Sequence, residues 1–255
     1  MRIIQIFVNI WPGRYKEGQK IVDDLIANGY KNVVAIVSGR EVKIIAPKVY
    51  YLSRDAYFGE QFVQIINLFK GDILIQIQAD VEVKDYRKLI DCCIENFDLN
   101  PNLGIWAPDI DYTSWITAIN TKKIRQNKIT KEFRTHHGMI EVLNTDCTLW
   151  ALKKEIIYEM TFLNLRTIKF GWGLDLVASA ICRSRNLKVM RNVNFRVNHP
   201  KGTGYNEVNA ANEWKKLRSS LPWRIKINLL VNQLYLIRNK ALYLSKINIK
   251  RIIGI

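Results

Sequence analysis

Residues 72–82 of the chain are DILIQIQADVE, an apolar run that leads into two carboxylates. Side chains of an extended chain alternate between two faces, so the three isoleucines fall on one face. Gln76, Gln78 and Asp80 fall on the other face if the extended backbone continues. The stretch therefore predicts a β-strand whose carboxyl end carries a polar site.

Strand and helix patterns alternate around this stretch. The predicted order is strand 2–8, a helix through 21–26, strand 32–37, strand 49–52, a helix from Phe58 to Phe69, strand 72–78 and a helix over 84–97. This βαβαβ alternation predicts an α/β fold, Rossmann-like, with a mostly parallel central sheet flanked by helices. In such sheets ligands bind at the carboxyl ends of the strands.

The pattern is less regular after Gly104. We expect a strand end at 106–109, a strand from Glu141 to Trp150, helices near 153–160 and from Gly173 through Ile181, and an edge strand near 193–197. The predicted domains are a main domain over 1–214, with halves 1–100 and 101–214, and a basic apolar segment over 215–255, which we expect to be helical.

Composition narrows the class of protein. The 255 residues suit one large domain, and 48% hydrophobic content with seven Trp excludes a disordered chain. The four Cys lack the spacing of a zinc site, so we expect buried, reduced thiols and a cytoplasmic protein. No window reaches the ~18 consecutive apolar residues that a membrane span needs.

A second candidate carboxylate follows a glycine-rich turn. Phe170-Gly171-Trp172-Gly173-Leu174-Asp175 places Asp175 directly after two glycines and a tryptophan. Glycine lets the backbone approach a ligand closely, and the indole of Trp172 offers a flat apolar wall. His199 follows the predicted strand at 193–197 and adds a neutral imidazole, which is a plausible metal ligand.

These motifs resemble those of glycosyltransferases of the GT-A fold, especially the inverting family 2 type and its galactosyltransferase relatives. In those families an Asp-x-Asp-like motif holds a metal, and a Trp-Gly-x-Asp-like turn supplies the base. The resemblance covers about residues 2–205. It implies transfer of a sugar from a nucleotide-diphosphate donor to a hydroxyl of a glycan or lipid-linked glycan, with inversion, in polysaccharide or glycoconjugate synthesis. It also implies a nucleotide-binding half over 1–100 and an acceptor half over 101–214.

The resemblance assigns the metal site to Asp80, in the register of the last Asp of the motif, with His199 completing the site. Mn²⁺ or Mg²⁺ is the implied cofactor. The usual first Asp is replaced by Gln78, whose neutral amide can bond a ribose hydroxyl but adds no charge. Glu82 is the residue that we expect to compensate, from the same face as Asp80.

The same resemblance assigns the remaining roles. Asp175 is the expected general base, Trp172 and Gly173 shape the acceptor side, and Asp146 hydrogen-bonds acceptor hydroxyls. The loops after the first three strands are expected to hold the base, ribose and diphosphate of the donor through Asn9, Trp11, Arg14, Ser38 and Arg54. The two arginines supply charge for the phosphates.

A net charge of +16 is concentrated towards the end of the chain. From Lys215 to Ile255 there are ten Lys or Arg and no Asp or Glu. A helical seam runs between these charges through Leu230, Leu234, Ile237, Ala241 and Leu244, whereas Ile225, Leu229, Leu236 and Tyr243 fall off the seam. The segment suits an anionic membrane surface, at the inner face of the membrane, or packing against the main domain or a partner subunit.

Two other functions stay open. A basic nucleic-acid- or membrane-binding module without catalysis explains the charge, but it leaves both carboxylate motifs unexplained, so nucleic acid is the less favoured partner. A sugar nucleotidyltransferase has a related sheet. However, the first strand leads into Trp11-Pro12-Gly13-Arg14 and not into a glycine-rich phosphate loop. Oligomeric state is left undetermined.

Overall fold

The computed structural model describes residues 2–110, 124–125, 128–129, 138–199 and 206–252, the last part (242–252) by its backbone alone. The strands are β1 Ile4–Ile10, β2 Val33–Ser38, β3 Lys48–Leu52, β4 Ile73–Gln78, β5 Leu103–Ile110, β6 Ile124–Arg125, β7 Lys128–Ile129, β8 Met139–Glu141, β9 Leu149–Lys153 and β10 Lys188–Val197. The helices are α1 Tyr15–Ala27, α2 Phe58–Leu68, α3 Tyr86–Leu99, α4 Lys154–Thr161, α5 Leu174–Ser184, α6 Glu207–Ser220 and α7 Trp223–Ile252.

The central sheet has eight strands in the order β3-β2-β1-β4-β9-β5-β10-β8. Strands β1 to β4 are parallel to one another, β10 is parallel to β5, and β8 and β9 run antiparallel to their neighbours. The carboxyl ends of β1 to β5 and of β10 therefore meet at one edge of the sheet, where ligands bind in open α/β folds. The predicted α/β architecture is confirmed.

Both faces of the sheet are covered by helices. Ile73, Ile75 and Ile77 share a core cluster with α1 and α3, whereas Leu74 packs into the second cluster with α2, α4 and α5. This is the alternation expected of a strand, and burial on both faces is typical of a parallel sheet.

Two predicted elements are corrected by the structure. The segment from Glu141 to Trp150 is not one strand, because β8 ends at Glu141 and β9 begins at Leu149. The polar residues between them reach the ligand-binding edge. The strand near 193–197 is longer, starts at Lys188, and is not at the edge of the sheet, because the short strand β8 pairs with its Met190–Asn192 part.

The basic segment after 215 is helical in its described part and joins the core. Ile225 and Leu229, near the start of α7, are buried against the cluster that contains α5. Helix α6 runs across the predicted boundary between 214 and 215. In the described residues, no helix combines the length and the apolar character that crossing a bilayer requires.

Candidate active site

A cavity of about 1450 Å³ opens at the carboxyl edge of the sheet. Most of the residues predicted for the site line it, namely Trp11, Arg14, Arg54, Gln78, Asp80, Asp146, Trp172, Gly173, Asp175 and His199. They come from segments that follow strands, from the loop between β8 and β9, and from the turn and first residues of α5. The topology therefore brings together residues that are far apart in the sequence.

Asp80 and His199 form the first polar pair of the cavity. His199 Nε2 lies 3.3 Å from Asp80 Oδ2, and both side chains are largely shielded from solvent. A two-residue bridge holds them in place, since the Glu82 N–H donates to Asn198 O at 2.9 Å and the Asn198 N–H donates to Glu82 O at 3.3 Å. The bridge fastens the segment after β4 to the segment after β10.

Glu82 itself contributes its backbone to this bridge, and its side chain is exposed. It does not line the cavity. The backbone turns at Ala79 and Asp80, where the Val81 N–H donates to Gln78 O at 3.2 Å, so the alternation of β4 does not continue to Glu82. The structure therefore does not bring Glu82 to the predicted metal site.

The Asp80–His199 pair fits a divalent cation. A carboxylate oxygen and an imidazole nitrogen are ligand types that Mn²⁺ accepts, and here the two atoms lie 3.3 Å apart. Asp80 Oδ1 is buried and accepts no hydrogen bond from the described residues, so a cation would satisfy it. Across the described ranges no cluster of three or more His, Cys, Asp or Glu is suited to a metal, so water and a phosphate ligand would complete the shell.

The turn that carries Asp175 is clamped from two sides. Gly173 precedes α5 with a left-handed φ of +85°, and a Cβ at this position would lie 2.2 Å from Trp214 Cε3 of α6. Glu213 of the same helix accepts a hydrogen bond from the Phe170 N–H at 3.1 Å. From the other side, the Gly59 N–H of α2 donates to Lys169 O at 2.9 Å. Only glycine fits beside the indole of Trp214, and Asp175 is thereby held in the first turn of α5.

Asp175 is a carboxyl group with a strongly shifted proton affinity. Its pKa is raised from 3.8 to about 7, mainly by burial and to a smaller extent by the negative charge of Asp146. Hydrogen bonds from the backbone N–H groups of Leu176 and Asp175 and from the Asn144 side chain act in the opposite direction. A carboxyl group with such a pKa accepts and releases a proton near neutral pH.

A buried arginine lies behind this pair of acids. Arg191, on β10, is 5% exposed, and its Nη1 lies 3.8 Å from Asp109 Oδ1. Burial lowers the pKa of Arg191, whereas the charges of Asp109 and Asp146 raise it. Asp146 also accepts a hydrogen bond from the Thr148 N–H at 2.9 Å. Arg191 thus adds a buried positive charge that acts on both Asp109 and Asp146.

Known proteins offer a fold match but no sequence match. Neither a protein-family model nor a curated protein matches the chain. Among solved structures, GalNAc-T7 with UDP, GalNAc and Mn²⁺ superposes with a TM-score of 0.60 at 13% identity, covering 84% of this chain and 48% of that one. The chain thus spans about half the length of GalNAc-T7.

Two further solved structures cover more of their own chains. The mannosyltransferase PcManGT from Pyrobaculum calidifontis, in complex with GDP-Man and Mn²⁺, has a TM-score of 0.55 at 12% identity, covering 94% of this chain and 73% of that one. Glucosyl-3-phosphoglycerate synthase from Mycobacterium tuberculosis, with Mn²⁺, UDP and glucosyl-3-phosphoglycerate, has a TM-score of 0.54 at 10% identity. The match covers 88% of this chain and 80% of that one. The chain has the GT-A fold. Its predicted fold family is thereby confirmed.

Two predicted donor residues lie behind the wall of the GT-A cavity. Asn9 and Ser38 are fully buried and are bound by Gln61 of α2. Gln61 Nε2 donates to Ser38 Oγ at 3.0 Å and to Ile10 O at 2.8 Å, and Gln61 Oε1 accepts from Asn9 Nδ2 at 3.0 Å. Gln61 reaches the cavity, whereas Asn9 and Ser38 do not. Sequence reasoning missed Gln61, although a glutamine within the apolar stripe of a helix was a usable signal.

The two predicted phosphate-binding arginines already have acidic partners. Arg14 Nη1 lies 2.9 Å from Glu17 Oε1, and Arg54 Nε lies 2.9 Å from Glu41 Oε1. Both pairs are solvent-exposed, and such pairs contribute about 0–1 kcal/mol. A doubly charged phosphate group can therefore displace the carboxylates at little cost.

Aromatic residues complete the lining of the GT-A cavity. The rings of Tyr57 and Phe170 are in contact at a tilt of 58°, with centroids 4.9 Å apart, and Phe58 and Trp214 line the same cavity. Sequence reasoning assigned Phe58 to a helical core stripe and did not single out the others. The wall also includes Cys147, and burial raises the pKa of its thiol well above the usual value.

Proposed function

We propose that the chain is a glycosyltransferase that moves a sugar from a nucleotide-diphosphate donor to a hydroxyl group of a glycan or lipid-linked glycan, with inversion. The observation that carries the proposal is one cavity that joins Asp175, with a pKa of about 7, to the Asp80–His199 pair. A base and a cation-binding pair across one cavity are the two parts that sugar transfer requires.

Asp175 is the general base of the proposed reaction. The acceptor oxygen forms a bond to the anomeric carbon while the bond from that carbon to the diphosphate oxygen breaks. The acceptor proton passes to the Asp175 carboxylate, and the nucleoside diphosphate leaves with the bonding electron pair. Attack opposite to the leaving group inverts the anomeric centre, and a base that is fixed in the first turn of a helix favours that alignment.

Asp80 and His199 are the residues that would hold Mn²⁺ or Mg²⁺. Such a cation, when bound, supplies positive charge to the departing diphosphate. Gln78, beside Asp80 in the cavity, is placed to bond a donor hydroxyl without changing the charge of the site. The similar GT-A structures were solved with UDP or GDP-Man together with Mn²⁺, which supports a nucleotide-sugar donor here.

The acceptor side is the wall that Trp172, Gly173 and Asp146 form next to Asp175. An indole face binds the apolar face of a sugar ring, and a carboxylate accepts hydrogen bonds from its hydroxyl groups. This wall supports a carbohydrate acceptor and a role in polysaccharide or glycoconjugate synthesis.

Ligand screening and product analysis test the proposal. We expect UDP-, GDP- or dTDP-sugars to raise the melting temperature in the presence of Mn²⁺, because a ligand at a hundredfold excess over its Kd stabilises the fold by about 2.7 kcal/mol. Turnover should release a nucleoside diphosphate. Release of pyrophosphate from a nucleoside triphosphate and a sugar phosphate would show a nucleotidyltransferase, and no stabilisation by any nucleotide would contradict both activities.

A further inference from the structure

Helix α7 carries an apolar stripe that faces solvent. The stripe consists of Trp223, Ile227, Leu230, Leu234 and Ile237, which recur at alternating intervals of four and three residues. Their exposed fractions range from 48% at Ile227 to 73% at Trp223. Over a rise of 1.5 Å per residue the stripe is about 21 Å long. Large side chains exposed in such a continuous row mark a binding surface.

The opposite face of the same helix is already occupied. Ile225, Leu229, Asn232 and Asn239 are buried, and Asn232 accepts a hydrogen bond from Arg183 of α5 at 2.7 Å. The helix therefore has two apolar faces with different surroundings. Packing on the domain accounts for Ile225 and Leu229, which fall off the predicted seam, and the described residues leave the stripe itself exposed; the side chains of Tyr243 and Leu244 lie outside the described part of the chain.

Positive charges flank the stripe on both sides. At about 100° per residue, Lys226 and Lys240 project about 60–100° to one side of it, and Arg224 and Arg238 project equally far to the other. All four are exposed. Two of them reach backbone carbonyls nearby, with Lys226 Nζ donating to Ser219 O and Arg224 to Ser184 O. No acidic residue occurs from Lys215 to Ile255.

We propose that this stripe docks on an anionic membrane surface, with α7 lying in the plane of the lipid headgroups. An apolar row between two rows of cations buries its hydrocarbon below the headgroups while the long basic side chains reach the phosphates. A second copy of the chain suits the stripe less well. Two such helices would bring like charges together along both flanks, with no carboxylate on α7 to pair with them.

Vesicle binding by the full-length chain tests this proposal independently of the chemistry in the cavity. Truncation after Leu221 is a poor test, because it removes Ile225 and Leu229 from the core. The better variant is Leu230→Ser/Leu234→Ser/Ile237→Ser, which changes exposed side chains only. Its matched control, Val42→Ser/Ile45→Ser/Val208→Ser, changes exposed apolar residues away from α7.

We expect the wild type and the control to sediment with vesicles of phosphatidylcholine and phosphatidylserine, and the stripe variant to bind at least about tenfold more weakly. Arg238→Gln/Lys240→Gln should weaken binding about fivefold per charge. Brominated lipid should quench the fluorescence of the wild type more than that of Trp223→Phe, because only an inserted Trp223 meets the acyl chains.

Several results would overturn the proposal. One is a full-length chain that ignores anionic vesicles, and another is a stripe variant that binds them as well as the wild type does. A dimer that the stripe variant dissociates, without vesicle binding, would identify a second copy as the occupant. Binding of RNA or DNA without vesicle binding would identify a nucleic acid.

Discussion

Replacement of Asp175 by Asn should inactivate the protein and stabilise it at the same time. The variant keeps the shape of the side chain and removes its charge, so transfer should fall by about two to four orders of magnitude while donor binding persists. The charge that the reaction uses is the one that burial and Asp146 disfavour. Removing it should therefore increase the free energy of unfolding.

The expected stabilisation follows from the pKa of Asp175. The group titrates at 3.8 when unfolded and at about 7 when folded. Between these values the folded chain keeps a proton that the unfolded chain loses, so stability falls as pH rises from about 4 to about 7. Each pKa unit corresponds to 1.36 kcal/mol, which sets an upper limit of about 4 kcal/mol for the advantage of the variant above pH 7.

Urea unfolding of the wild type and of Asp175→Asn at several pH values between 4 and 8 measures this difference. It should be smallest near pH 4 and should grow to its limit above pH 7. The same carboxyl group should set the acid limb of kcat/KM, with activity lost below about pH 7. Asp146→Asn serves as the control, because removal of its charge should lower the pKa of Asp175 and move that limb to lower pH.

Three outcomes would refute this reasoning. A stability difference that does not change with pH would mean that Asp175 is ionised normally in the folded chain. Turnover of Asp175→Asn near that of the wild type would remove Asp175 from the mechanism. If Asp146→Asn does not shift the acid limb of the kcat/KM profile, then a group other than Asp175 sets that limb.

Two further predictions concern the cation pair and the turn. Asp80→Ala and His199→Ala should each weaken Mn²⁺-dependent nucleotide binding at least about tenfold, as measured by calorimetry, and a chelator should abolish wild-type turnover in a product assay. Full activity in the presence of chelator would mean that Arg14 or Arg54, and not a cation, neutralises the charge of the leaving diphosphate. Gly173→Ala should destabilise the fold by more than about 3 kcal/mol, because the left-handed φ costs about 1–2 kcal/mol and the Cβ also meets Trp214. Gly29 has a φ of +89° and no atom within 4 Å of an added Cβ, so Gly29→Ala should lose only the about 1–2 kcal/mol of backbone strain. Equal melting temperatures for the two variants would exclude a role for Trp214.

Much of the fold was predictable because its signals are local. Apolar runs of period two and stripes of period 3.6 mark β1 to β4 and α1 to α3, and polar residues directly after a strand predict the ligand-binding edge. Asp80 and Asp175 could be singled out for this reason. Strand β8 is only three residues long, too short to produce a pattern, so β10 was wrongly predicted to be an edge strand.

The details of the site depend on contacts that the local pattern does not contain. Asn9 and Ser38 end strands that are buried on both faces, and alternation alone does not show that they turn towards Gln61 and away from the cavity. The position of Glu82 depends on a turn at Ala79 and Asp80, which interrupts the alternation of β4, and on a bridge to Asn198, which is distant in the sequence. Arg191 resembles an ordinary strand residue until Asp109 and Asp146 are found beside it.

The bridge between Glu82 and Asn198 also has a consequence for the order of assembly during synthesis. Asp80 leaves the ribosome within the first half of the chain, whereas its partner His199 follows more than a hundred residues later. Contacts of such wide sequence separation form late, after the local elements have gathered. A nascent chain therefore carries the amino-terminal strands and Asp80 before it has His199, and the Asp80–His199 pair is completed only when β10 has joined the sheet.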